Sequence, residues 1–156
     1  MPRKRKAIER TVLPDPKYND VILSKFINGV MGDGKKSIAE KIVYGAFDII
    51  EQKMKKDPLE VFREALVNAR PLVKVTSRRV GGTNYQVPEE VNEKAGRAIA
   101  FRWIISVARN RNEKNMRDKL AAELMAIYKK EGATIKKRED THKMAEANKA
   151  FAHLRF

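Results

Sequence analysis

The sequence predicts a mainly α protein: a six-helix, bundle-like body with a two-stranded β-hairpin protruding between the third and fourth helices. Three observations predict it. Apolar residues recur at helical spacing in five segments, the mark of helices packed on a core, and a charged, then alanine-rich sixth follows them. Between the third and fourth of these the period falls to two around Gly81-Gly82, the mark of a hairpin. The chain is 156 residues long with no cysteine, so it is sized for one domain that builds its own core without disulfides or thiolate metal sites.

The first residues form a basic tail. Arg3, Lys4, Arg5, Lys6 and Arg10 stand against Glu9 alone, too little apolar surface to fold by itself. Leu13-Pro14-Asp15-Pro16 extends it, because proline disfavours helix at the preceding residue, so residues 1–18 are expected to be an extended basic arm. From Asn19, Val21, Ile22, Phe26, Ile27 and Val30 mark a first helix, broken by Gly32-Asp33-Gly34. A second runs from Ser37 to Met54 with Ile38, Ile42, Val43, Ala46, Phe47, Ile50 and Met54 on one side. Asp57-Pro58 opens the third, aspartate as N-cap and proline at the first helical position. It turns Leu59, Phe62, Leu66 and Ala69 inward and stops before Pro71.

The hairpin arm spans residues 72–88. Leu72–Arg79 is β-branched and basic, and Thr83–Val87 alternates again. With Gly81-Gly82 as the two turn residues, Val80 faces Thr83, Arg79 faces Asn84 and Arg78 faces Tyr85. Pro88, which lacks an N–H, is expected to end the second strand. Strands of this length reach roughly 20 Å from the body. The fourth helix, Asn92 to Arg109, is apolar nearly all round between Ala98 and Ala108, as expected of a central helix. Arg109-Asn110-Arg111-Asn112 makes a basic loop. The fifth helix starts near Asn115, carries Met116, Leu120, Leu124 and Ile127 on one face, and ends at Gly132. Residues 133–156 form a sixth helix, reaching at least Lys149, and a tail.

Charge narrows the function. Thirty-four basic residues against 20 acidic ones leave a formal +14, and cations laid against phosphates bind polyanions by releasing counterions. The cations are spread over several segments rather than along one amphipathic helix, which favours folded nucleic acid over a membrane surface. No apolar run approaches the roughly 20 residues of a membrane span. The charged N-terminus lacks the apolar stretch of a secretory signal, so a cytoplasmic protein is expected.

No catalytic site emerges. Gly29-Val30-Met31-Gly32-Asp33-Gly34-Lys35 approaches a nucleotide-binding P-loop. However, Lys36 stands where the motif needs serine or threonine, and a helix precedes it instead of a strand. The better reading is a glycine-bent loop presenting Lys35 and Lys36 at a helix N-terminus, where amides attract phosphate; a plain surface turn is the competing one. Glu89-Glu90 and Glu139-Asp140 are adjacent acids that diverge, expected near helix starts. His142 and His153 lack companion ligands. The chain is therefore expected to be neither an enzyme nor a holder of a metal or cofactor.

The hairpin carries Lys74, Arg78 and Arg79, with no acid from Pro71 to Pro88. Lys74, Thr76 and Arg78 share one face, and Tyr85 opposite Arg78 offers a cation–π pair or a stacking surface for a base. An ordinary solvated hairpin, its edge charged against aggregation, is the competing reading.

The run Ser77-Arg78-Arg79-Val80-Gly81-Gly82-Thr83-Asn84-Tyr85-Gln86-Val87-Pro88 resembles the hairpin signature of the bacterial small-subunit ribosomal protein seven family. The resemblance continues through Leu13-Pro14-Asp15-Pro16, Asp33-Gly34-Lys35-Lys36, Arg102-Trp103 and the stretch from Lys136 to His153, collinear over the whole chain. Leu154 and Phe156 depart from it, standing where the family usually has tyrosine and tryptophan.

The resemblance implies a structural protein of the small ribosomal subunit. It would be a primary binder of the 3′ major domain of the ribosomal RNA that nucleates head assembly near the exit-site tRNA and mRNA path. It would neighbour other small-subunit proteins, and some family members repress their own operon. On this reading the whole chain, 1–156, is one RNA-binding domain. The expected RNA-binding residues are Arg3, Lys4, Arg5, Arg10, Lys35, Lys36, Lys74, Arg78, Arg79, Asn84, Tyr85, Arg102, Arg109, Arg111, Lys114, Arg117, Lys136 and Lys137. Some of these arginines have salt-bridge partnership at the core edge as their alternative role, Arg102 beside Trp103 above all. The rival reading is an architectural DNA-binding protein with a basic β-arm, which commonly carries an apolar wedge at the tip.

Overall fold

A computed structural model of the chain describes residues 10–154. Its helices are α1 (Val21–Val30), α2 (Lys36–Met54), α3 (Pro58–Ala69), α4 (Glu93–Arg109), α5 (Met116–Tyr128) and α6 (Ala133–Ala147). A 3₁₀ turn, Lys149–Leu154, follows α6. Strands β1 (Val73–Val80) and β2 (Thr83–Glu90) form one antiparallel pair between α3 and α4. The expected mainly helical body with its hairpin is what the chain forms.

Local chemistry sets the boundaries. Asp57 caps α3 by accepting from the Leu59 amide at 3.0 Å, with Pro58 in the first turn; such a cap contributes about 1 kcal/mol. Asn92 caps α4 through Ala95 at 2.8 Å. Asp20 caps α1 through the amides of Ile22 and Leu23, and it also accepts Nε and Nη2 of Arg63, at 3.0 and 2.5 Å. Four donors thus satisfy a carboxylate that is only 5% exposed.

A chain of rings runs through the core. Phe101 of α4 meets Phe26 of α1 at 5.3 Å, Phe26 meets Phe62 of α3 at 5.1 Å, and Phe62 meets Phe47 of α2 at 5.7 Å. Burying each phenylalanine side chain contributes roughly 1.5–3 kcal/mol, so this chain ties four helices together. Around it pack Leu23, Val43, Ile50, Ile104, Leu120, Leu124 and Ile127, all fully buried. Gly96 lets the Arg70 side chain pass: a Cβ there would lie 2.7 Å from Arg70 Cγ.

Six sequence expectations need correction. In α1 the deep residue is Leu23 while Val21 is 41% exposed, and in α2 Ile38 lies outside the core; each stands at the edge of its helix's apolar stripe. Helix α4 is not buried all round: Ala98, Arg102 and Ser106 face outward. Pro88 does not end β2, which runs to Glu90 with Pro88 opposite Val75. Antiparallel pairs alternate between hydrogen-bonded and non-bonded, and counting from the turn puts Pro88 at a non-bonded pair, where its missing N–H costs nothing. Helix α6 stops at Ala147 and tightens into the 3₁₀ turn. Finally, the extended arm closes early. Asp15 accepts the amides of Lys17 and Tyr18 and the Tyr44 hydroxyl at 2.6 Å, fastening a turn onto α2.

Candidate nucleic-acid interface

The hairpin pairs in the expected register, Val80 with Thr83, Arg79 with Asn84 and Arg78 with Tyr85. Both turn glycines have positive φ, 58° and 86°, as a two-residue type I′ connection requires. At the tip Arg79, Gly81, Gly82, Thr83 and Asn84 are exposed. The tip offers no apolar wedge, so the DNA-arm reading finds no support in its geometry.

The arm is held along its length rather than free. Val87 is fully buried, and the Tyr85 ring packs on Phe151 of the 3₁₀ turn at 5.3 Å instead of serving mainly as the expected partner of Arg78. The Leu72 amide, at the hinge into β1, donates to His142 Nε2 of α6 at 3.1 Å. That acceptor role requires a neutral imidazole with its proton on Nδ1. Burial, and then the nearby Arg138 charge, push the His142 pKa down, consistent with that state.

Lys74, Thr76 and Arg78 do share a face, and an acid lies on it. Glu89 Oε1 accepts Arg78 Nη2 at 2.6 Å, and Oε2 accepts Thr76 Oγ1 at 3.2 Å with Lys74 Nζ at 3.3 Å. The Arg78 bond, against a smaller opposing effect of burial, and the Lys74 and Thr76 bonds hold the Glu89 carboxyl below its usual range. Glu89 therefore orients two cations of the arm, while Arg79 is exposed near the tip. Of the two acidic pairs, Glu89-Glu90 ends β2 just before the Asn92 cap of α4, whereas Glu139 and Asp140 lie mid-α6 and not near a helix start.

The remaining candidates divide. Lys35 and Lys36 are exposed at the N-terminus of α2, whose first turn holds no acid, beyond a loop with Asp33 and Gly34 at positive φ. Helix α1 precedes that loop, unlike the strand of a P-loop. Arg102, Arg109, Lys114, Arg117, Lys136 and Lys137 are exposed, as is Arg10. Arg117 lies 3.7 Å from Asp118, and Lys137 Nζ sits 6.0 Å from the centre of the Trp103 ring. Arg111 takes the structural role instead: Nε donates to Glu113 at 3.1 Å and Nη1 to the fully buried Glu123 at 2.7 Å. The salt-bridge alternative thus falls to Arg111 and not to Arg102. Arg3, Lys4 and Arg5 lie outside the described residues.

Sequence reading missed a groove along α4. Ile22, Lys25, Lys94, Arg97, Ala98 and Phe101 line one stretch, and Gly29, Arg102, Ile105 and Arg109 continue it past Phe101. An apolar floor with a cationic rim suits bases and phosphates together. The signal was present, since Lys94, Arg97, Phe101 and Ile105 recur at helical spacing. Among the described residues no helix is long and apolar enough to cross a membrane.

Comparison with known proteins agrees over the whole chain. Residues 2–149 match the model of the family described as ribosomal protein S7p/S5e. The chain is 58% identical over 154 residues to the small ribosomal subunit protein uS7 of Thermotoga neapolitana, covering 99% of each. It is 57% identical to the protein of that name from Magnetococcus marinus and 58% to that from Teredinibacter turnerae, in both cases over the full length of both chains.

Proposed function

The chain belongs to the ribosomal protein S7p/S5e family, and from that premise we propose that it binds the 3′ major domain of small-subunit ribosomal RNA and helps to nucleate the subunit head. Its place is in the cytoplasmic small ribosomal subunit, beside other small-subunit proteins, with the arm near the exit-site tRNA and mRNA path. It acts as a structural protein, not as a catalyst.

The observation that carries this reading is the arm. It is fastened along its length, by His142 at its base and by Val87 and Tyr85 further out, and its tip presents Arg79 and Asn84 beside two glycines. A fixed base with a slim polar tip suits insertion into an RNA junction, where shape and stacking give selectivity. Lys35, Lys36 and the α4 groove neutralise phosphates around it and set affinity without reading sequence.

The test is binding of a transcript of the 3′ major domain over a salt series. Arg79→Ala is expected to weaken binding and to flatten the slope of log K against log salt by about one unit, one phosphate contact. Unchanged affinity and slope would remove the tip from the interface.

A further inference from the structure

Glu123 is the one fully buried charged residue among the described ones, and nothing in RNA binding calls for an acid there. It stands on α5 between Leu120 and Leu124, inside the apolar stripe. Its two oxygens point to two different segments. Oε2 accepts Arg111 Nη1, 2.7 Å away, from the loop joining α4 to α5. Oε1 accepts the Thr134 hydroxyl at 2.6 Å and lies 3.4 Å from the Thr134 amide, in the first turn of α6. Gly132, with φ 93°, brings that turn close: a Cβ there would sit 3.2 Å from Ala126 and 3.7 Å from Glu123 Oε1.

A charge removed from water is costly unless charged and neutral donors satisfy it. Here the donors come from the two segments that flank α5 in sequence, and each segment carries exposed cations. Lys114 follows Arg111 in the α4–α5 loop, and Lys136 and Lys137 follow Thr134. Arg111 is held a second time, through Nε, by Glu113, so its guanidinium is fixed between two carboxylates and cannot swing toward a phosphate.

We propose that Glu123 is a positioning residue for RNA binding: it locks the α4–α5 loop and the start of α6 into one geometry, so that their cations engage one RNA surface together. The inference rests on the RNA-binding reading above. Without the lock each segment would still carry its charge, but holding Lys114 and Lys136 on the RNA together would cost more in ordering than the two contacts return, so those contacts are lost.

A double-mutant cycle tests it. Glu123→Gln keeps the shape and the bonds to Thr134 and removes the charge that holds Arg111. It is expected to weaken binding of the 3′ major domain transcript about tenfold, with a salt slope flatter by about two units. In that background Lys114→Ala/Lys136→Ala should cost much less than in the wild type, while Lys35→Ala/Lys36→Ala should cost the same in both. Hydrogen exchange of the free protein should rise at residues 110–115 and 132–136 and stay unchanged in α2.

An equal cost of Lys114→Ala/Lys136→Ala in both backgrounds, or wild-type affinity in Glu123→Gln, overturns the proposal. Should Glu123→Gln fail to fold, Arg111→Lys replaces it, since lysine keeps the charge but not the planar fork that reaches both carboxylates. The same predictions and the same overturning results then apply. Failure of the wild type to bind the transcript would instead sink the RNA-binding reading itself.

Discussion

Asp20 shows how much a single residue carries in this fold. Burial alone would raise its pKa, but the Arg63 bonds and the amides of Leu23 and Ile22 more than offset that, so the carboxyl titrates below its usual range. A carboxyl depressed in the folded state stabilises it above the unfolded pKa, and that contribution fades as pH falls through the lower folded value. Asp20→Asn keeps a good N-cap and loses the charged pairing to Arg63. Because Arg63 is largely exposed, solvent screens the pair, and the expected loss at neutral pH is about 1 kcal/mol. Urea titrations from neutral pH down into the acid range should show the two proteins converging. A constant gap over that range would mean that Asp20 does not titrate as argued. Residues such as Glu89 and Glu123 work alike, as acids placed inside a basic protein to hold cations in position.

At the scale of elements the arm is the informative case, because it packs on the C-terminal 3₁₀ turn as well as pairing its own strands. Phe151→Ala removes the ring under Tyr85, and a two-stranded hairpin is only marginally stable alone. Amide exchange in β2 is expected to speed up several-fold while α2, on the other side of the core, keeps its protection; equal protection in β2 would show that Val87 and His142 suffice. How far the arm was legible in sequence depends on distance along the chain. Gly81-Gly82 fixed the turn and the alternation fixed the register, since both are local. The same register, continued past Pro88, sets Lys74 opposite Glu89; ending the strand at proline hid the acid. Tyr85 on Phe151 and Leu72 on His142 join positions 66 and 70 residues apart, and no local period announces such contacts. The salt bridge of Arg111 was not legible for a related reason. Its partner Glu123 is a helix away, marked only as an acid within an apolar stripe, and a loop arginine beside asparagines looks like a phosphate contact until that partner is seen.

Over the whole molecule the question is whether affinity follows net charge or the placement of charge. The formal +14 belongs to the entire chain, yet the cations argued to meet RNA gather at the α2 N-terminus, the hairpin tip, the α4 groove and the α4–α5 loop. On the exposed side of α2 toward its C-terminus, Asp48 and Glu51 alternate with Lys53 and Lys55, as on an ordinary solvated surface. Glu51 lies fifteen residues beyond Lys36 in one helix, about 22 Å along its axis. That exceeds twice the Debye length of about 8 Å at physiological salt, so a charge at Glu51 is screened from RNA bound at Lys36. Glu51→Lys adds two positive charges and Lys36→Ala removes one. If net charge governed binding, the first would strengthen it more than the second weakens it. Placement predicts the opposite order: Glu51→Lys should leave the transcript affinity within about twofold, while Lys36→Ala should weaken it and flatten the salt slope by about one unit. A tighter complex with Glu51→Lys at physiological salt would bring the far end of α2 into the interface and return the explanation to bulk charge.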